Sequence, residues 1–211
     1  MSQSVMTAMA LRVPKVLCRF KRDRRGVSAV EFAFVAPLMI GLYLSCAEIS
    51  SGLDASRKVT LTASTLVELA GQFTTISTSD LTNILNASTA TMSPFGLNAS
   101  NPFGLASTAN PFWFASTAIP TATLSCLKID KNGNTTVAWS GTLNGTAHTA
   151  GSAITIPSAL AVPSTSLLLG EASYAYTPTV GYTITGTINL SDLMYMRPRI
   201  TAPSYGSTSC T

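Results

Sequence analysis

The chain has one histidine, His148, in the string LNGTAHTAG, and four widely separated cysteines, Cys18, Cys46, Cys126 and Cys210. A nucleophilic triad needs an imidazole between a nucleophile and a carboxylate. A metal centre needs His, Cys or carboxylates at ligand spacing. Neither pattern occurs: the serines sit in no GxSxG or SxxK string, and no phosphate loop or dinucleotide fingerprint is present. His148 reads as a solvated loop residue. These absences lead to the expectation of a non-enzyme, with no catalytic residue, cofactor, metal or small-molecule substrate. One residue is out of place for another reason. Glu31 lies inside the apolar run of RRGVSAVEFAFVAPL, where a carboxylate in a spanning helix costs roughly 2.5–3.5 kcal/mol on insertion scales.

The element that carries Glu31 is legible from charge and hydropathy. Only 10% of residues are charged, well below the roughly 25% of an ordinary soluble domain. Residues 1–26 hold seven basic residues against Asp23, whereas the remainder of the chain is slightly acidic. A basic cluster directly before an apolar run is the positive-inside pattern, which keeps the leader cytoplasmic and sends the downstream chain across the membrane. A nucleic-acid arm would want aromatic interleaving or a reader fold, so no nucleic-acid partner is expected. The run 27–47 is long enough, at 1.5 Å per residue, to span a hydrocarbon core of about 30 Å, and Pro37 is tolerated in such a helix.

The helix need not end at the membrane. Val59, Ala63, Leu66, Val67, Ala70 and Phe73 recur at helical spacing, which predicts one helix from Val27 to about Gln72, roughly 70 Å long. A short second helix comes next, with Ser79 or Asp80 as its cap and Leu81, Ile84 and Leu85 buried. The span 93–120 contains PFGLNAS, PFGLAST and PFWFAST, a small repeat without a charged residue. It reads either as an expanded loop packing its aromatics onto the body or as an exposed apolar contact surface.

Beyond 121 the pattern changes to strands. LSCLKID and TTVAWS flank KNGN, a hairpin signal. Leu168, Ala172, Tyr174 and Tyr176 share one face by period two. In YTITGTINLS the apolar set Tyr182, Ile184, Ile188 and Leu190 alternates with threonines and Asn189, with 178–181 as the connection. The expected class is α+β, a long N-terminal transmembrane helix followed by a periplasmic domain with an antiparallel sheet. Its parts are a basic leader (1–26), a spanning helix (27–47), an amphipathic helical region (48–92), the repeat loop (93–120) and a β-rich region (121–211). Cys126 and Cys210 fall in the exported part, where they form one bridge or remain two free thiols.

A basic leader, a glycine, four small or apolar residues, Glu-Phe and an apolar helix form the layout of type IV prepilins. RRGVSAVEFAFVAPLMIGLY resembles the N-terminus of TadE-like pseudopilins of the tight-adherence (Flp) pilus assembly system (TadE/TadG family). ASRKVTLTASTLVEL, WSGTLNGTA, GEASYAYTPTVGY and LSDLMYMRPR resemble that family's periplasmic part, so the likeness runs over most of residues 19–200. The repeat falls outside it, and Phe34 stands where a smaller aliphatic is common.

The resemblance implies a minor pilin or assembly component in the bacterial inner membrane, acting in pilus biogenesis and adhesion. Its partners would be a prepilin peptidase, other pilin or pseudopilin subunits and the assembly machine. The peptidase would cut between Gly26 and Val27. Glu31, with Phe32 beside it, would then meet the N-terminal amine of a neighbouring subunit and set registry. The alternative for Glu31 is a carboxylate that snorkels to the cytoplasmic interface. The alternative for the chain is a secreted or lipid-anchored envelope protein or adhesin with an ordinary export signal, released after Ala47 or acylated at Cys46.

Overall fold

The computed structural model of the chain describes residues 26–95, 118–178 and 186–210. The protein is α+β: a long apolar N-terminal helix precedes an antiparallel four-stranded sheet. Two compact units divide the chain, 1–46 and 47–211. In the first, the described residues belong to α1 (Val27–Ala70) apart from Gly26. Phe32, Phe34, Leu38, Ile40 and Tyr43 are all exposed, so no side of this stretch finds apolar cover among the described residues of the unit. An apolar helix surface bare on every side is built for lipid or for other protein.

The second unit starts from the other end of α1. Ala55, Val59, Thr62, Ala63, Leu66, Val67 and Ala70 are its buried residues, spaced three and four apart, so one stripe faces the sheet. Phe73 packs partly buried on the same core. The helix ends at Ala70, close to the expected Gln72, with Gly71 N–H bonded to the Val67 carbonyl. Next come β1 (Thr75–Ile76) and α2 (Thr78–Ala90), whose Leu81, Ile84 and Leu85 are buried as the periodicity predicts. Its cap, however, is Ser77 rather than Ser79 or Asp80. Ser77 Oγ accepts from the Asp80 amide at 3.2 Å while Asp80 Oδ2 accepts from the Ser77 amide at 3.0 Å. This reciprocal capping box wins because it satisfies two free amide donors at once.

The sheet has the order β3-β2-β4-β5, all antiparallel, formed by β2 (Thr121–Ile129), β3 (Thr135–Leu143), β4 (Ser166–Tyr176) and β5 (Ile188–Met196). Asn132-Gly133 turns the β2–β3 hairpin, with Gly133 at φ 83°, where a side chain would be strained. A register shift between Cys126 and Leu127 marks a bulge against β3. Leu168, Ala172, Tyr174 and Tyr176 pair along one face of β4 and lie buried. The last strand of this sheet extends beyond the segment read from the sequence. Residues 179–185 lie outside the described residues, and the strand observed runs Ile188–Met196, taking in LSDLMYM. Pairing Met196 and Met194 opposite Leu168 and Gly170 carries the strand along β4 from Tyr176 to Leu168. β6 (Ser204–Tyr205) returns parallel to β1.

One core lies between helices and sheet, with Leu66, Val67, Ile84, Leu124, Trp139 and Leu168 among its members. Trp139 Nε1 donates to the Pro203 carbonyl at 3.0 Å and its ring lies 5.6 Å from that of Tyr205, which holds the C-terminal segment down. A second cluster joins Ala55, Val59 and Met92 to Tyr174, Tyr176 and Phe95. Phe95 is the first aromatic of the repeat and is buried, with the Lys58 ammonium 5.6 Å above its ring. The rest of the repeat, 96–117, lies outside the described residues.

Candidate functional site

Gly26 and Val27 are exposed at the start of α1, and Glu31 comes one helical turn later, also exposed. Val27 and Glu31 are four apart, so they share one face of the helix, and Phe32 beside them is 71% exposed. No described residue of this unit covers these side chains, and their arrangement is that of a segment presented to something else.

Cys126, on the helix-facing side of β2, and Cys210 are both fully buried and joined as a disulfide, with a Cα–Cα separation of 6.1 Å. The bond ties the C-terminal segment to the central strand across 84 residues. Cys46 is a free, exposed thiol on α1.

The outer face of the sheet holds a third feature. Its lower half is apolar: Leu127, Ile129, Val137, Leu167 and Leu169 are covered by Ile154, Ile156 and Leu160 from the segment after β3. Its upper half is polar and open. Cross-strand hydroxyl pairs climb it, Ser125–Ser140 at 2.8 Å, Thr123–Thr142 at 2.9 Å and Thr121–Ser173 at 2.6 Å. His148 is not the solvated loop residue expected from the sequence. Its amide donates to Ser140 Oγ at 3.1 Å and its Nε2–H donates to Glu171 Oε2 at 2.6 Å, with both side chains about one-third exposed. The contact becomes an ion pair whenever the imidazole is protonated. The partners are 23 residues apart, and only the β2–β4 register brings Glu171 opposite Thr123 and beneath the loop. No local sequence signal announces the pair.

Together these features define an α+β protein whose N-terminal helix is long and apolar enough to cross a membrane, as an anchor or a signal would be. A family model described as TadE-like protein matches residues 26–70, which makes this segment of the chain TadE-like. The match begins at the glycine before α1 and stops where α1 stops. The likeness read across residues 19–200 is therefore supported over the helix, and the strand motifs quoted for it lie beyond the match. No curated protein and no solved structure matches the chain.

Proposed function

We propose that the protein is a minor pilin or assembly component of a tight-adherence pilus, held in the bacterial inner membrane with its leader cytoplasmic and its sheet domain periplasmic. A TadE-like helix implies a pilus-associated protein of a non-enzymatic family, and the finer role is our reading. The observation that carries it is the coincidence of the family match with α1, starting at the Gly26-Val27 junction. Gly26 offers a peptidase a backbone without a side chain in the way. Cutting there frees an α-amine that titrates near 8 and is therefore positive at neutral pH. In a filament or in lipid, that amine on one subunit and Glu31 on the next neutralise each other where neither has water. The same arrangement explains why a costly carboxylate persists in an apolar run.

The test is the N-terminus of the protein taken from native membranes, by intact mass and N-terminal peptide sequencing. A chain starting at Val27 supports prepilin-type processing. A start at Glu48, or a lipidated Cys46, points instead to an ordinary exported protein, and an uncut chain to a fixed anchor. In the same strain, Glu31→Ala is expected to abolish pilus-linked adhesion while leaving membrane insertion intact; wild-type adhesion in that variant removes the registry role.

A further inference from the structure

We propose that the open polar half of the outer sheet face is a binding groove for a neutral, polyhydroxylated ligand, a short saccharide. The groove encloses about 540 Å³, within the range of small-molecule sites. Its floor is the hydroxyl ladder of β2 and β4, one wall is the loop from Gly145 to His148, and the other is the β5 edge from Ser191 to Leu193. The loop wall is fixed in place at three points. Asn144 takes φ 57° and its Nδ2 donates to the Pro120 carbonyl at 3.2 Å. Gly145 lies so close to the ladder that a Cβ there would stand 2.9 Å from Thr142 Oγ1. His148 is bound at both its amide and its ring. A groove whose wall is already tied down loses little freedom when a ligand enters.

The chemistry of the lining selects the ligand class. Each hydroxyl has one donor and two acceptor sites. Thr142 spends its donor on the Ala122 carbonyl at 3.1 Å, so Thr123 donates to Thr142 and the pair is left with acceptor sites only. Thr121 and Ser173 retain more acceptors than donors after pairing, and Glu171 is an acceptor. Among the described residues the lining includes the Glu171 carboxylate but no lysine or arginine; Asp192 also borders the groove but turns its own carboxylate to Thr60 on α1. An acceptor-rich surface with a carboxylate, and with its one imidazole already bonded to that carboxylate, disfavours phosphates and acidic sugars. It would also strand its hydroxyls beneath an apolar ligand. What fits is a molecule presenting many O–H donors without net charge. Leu193, 49% exposed at the rim, offers an apolar patch to the C–H side of a sugar ring.

This inference stands independently of the pilus reading. Its test uses the full chain in lipid nanodiscs free of glycosidic detergent, titrated calorimetrically with a neutral N-acetylglucosamine tetramer, a galacturonate tetramer and spermidine. Saturable binding of the neutral tetramer alone is expected, weakened about tenfold or more by Glu171→Gln, since hydrogen bonds to an ionised acceptor are the stronger ones. Glu171→Gln also loosens His148, so a second variant, Ser191→Leu, fills the groove from an exposed position without removing a tether. It should abolish binding while leaving the melting curve in place. No heat from the neutral tetramer, preference for galacturonate or spermidine, or undiminished binding in Ser191→Leu each overturns the proposal.

Discussion

Gly170 in β4 lies directly under the backbone of Ala63 in α1: a Cβ on Gly170 would stand 2.6 Å from the Ala63 carbonyl oxygen and 2.9 Å from Val67 Cγ1. The sheet and the helix approach this closely because one has no side chain there and the other has only a methyl. A backbone carbonyl inside a helix cannot swing aside as a side chain can. Gly170→Ala must therefore push α1 off the sheet, and overpacking of this kind costs about 1–3 kcal/mol. A Cβ on Gly52, on the same helix, would meet Tyr176 Cε1 at an ordinary 3.6 Å. Gly52→Ala should stabilise by about 0.5–1 kcal/mol through helix propensity. Denaturant unfolding of the two variants should move in opposite directions; equal shifts would mean that the close approach at Gly170 is not what sets the helix–sheet distance.

The Cys126–Cys210 bond should contribute strongly to the stability of the sheet domain. Closing a loop across 84 residues restricts the unfolded chain by about 4–5 kcal/mol in the entropy model. Reduction of the wild type, or the double change Cys126→Ala/Cys210→Ala, should lower unfolding stability by about 2–5 kcal/mol. Cys46→Ala should leave it unchanged, since that thiol is exposed and free. Identical unfolding with and without reductant would show that the two thiols are not bridged in the isolated protein.

How far the fold could be read from sequence depends on how far apart the deciding residues are. The stripe Val59, Ala63, Leu66, Val67, Ala70 was readable because helical burial repeats within one turn. Asn132-Gly133 marked the hairpin because the turn chemistry is local. Ser77 was missed because Ser79 and Asp80 are equally good caps by type, and only the reciprocal bonds choose among them. The alternation read for this strand stopped at Leu190 because Asp192 interrupts it by type, whereas pairing with β4 carries β5 on to Met196. The groove was invisible for a different reason. Thr123 meets Thr142, and His148 meets Glu171, only after the β2–β3 and β2–β4 registers are set, with the bulge at Cys126–Leu127 included.

Acid should loosen α2 through its cap. Asp80 has its carboxyl held below the usual range, first by the Ser77 hydroxyl and then by the Ser77 amide, both of which bond the ionised form. A folded-state pKa below the unfolded one gives stability that is present above the unfolded value, near 4, and is lost as pH falls through the folded value. Asp130 behaves the same way at the hairpin, through Asn134 first, with its carboxylate accepting from the Asn134 amide at 2.7 Å. Asp80→Asn should be less stable than wild type at pH 7, and the difference should shrink between about pH 5 and pH 3. A gap that stays constant over that range would remove the carboxylate from the cap.

Alkali should act at the opposite end of the core, through Tyr176. Its hydroxyl is pushed above the ordinary tyrosine value, first by burial and then by the charge of Glu48, with the Ser51 hydrogen bond partly offsetting them and Tyr174 adding a little. The ring belongs to the cluster that holds Phe95, 6.4 Å away, against Ala55 and Val59. For a group whose folded pKa is raised, the stability it contributes is complete below the unfolded value, near 10, and is lost as pH rises through the folded value. Tyrosinate formation would place a second negative charge near Glu48, in a pocket that disfavours any charge. Wild-type stability should therefore fall more steeply above about pH 10 than that of Tyr176→Phe, which keeps the ring and cannot ionise. Tyr195, raised by burial first and then by Glu171, adds to the same slope from the outer face, so Tyr195→Phe serves as the background for the comparison. If Tyr176→Phe in that background shows no flattening of the alkaline limb by urea unfolding, the hydroxyl is solvated and the cluster around Phe95 is more open than the packing indicates.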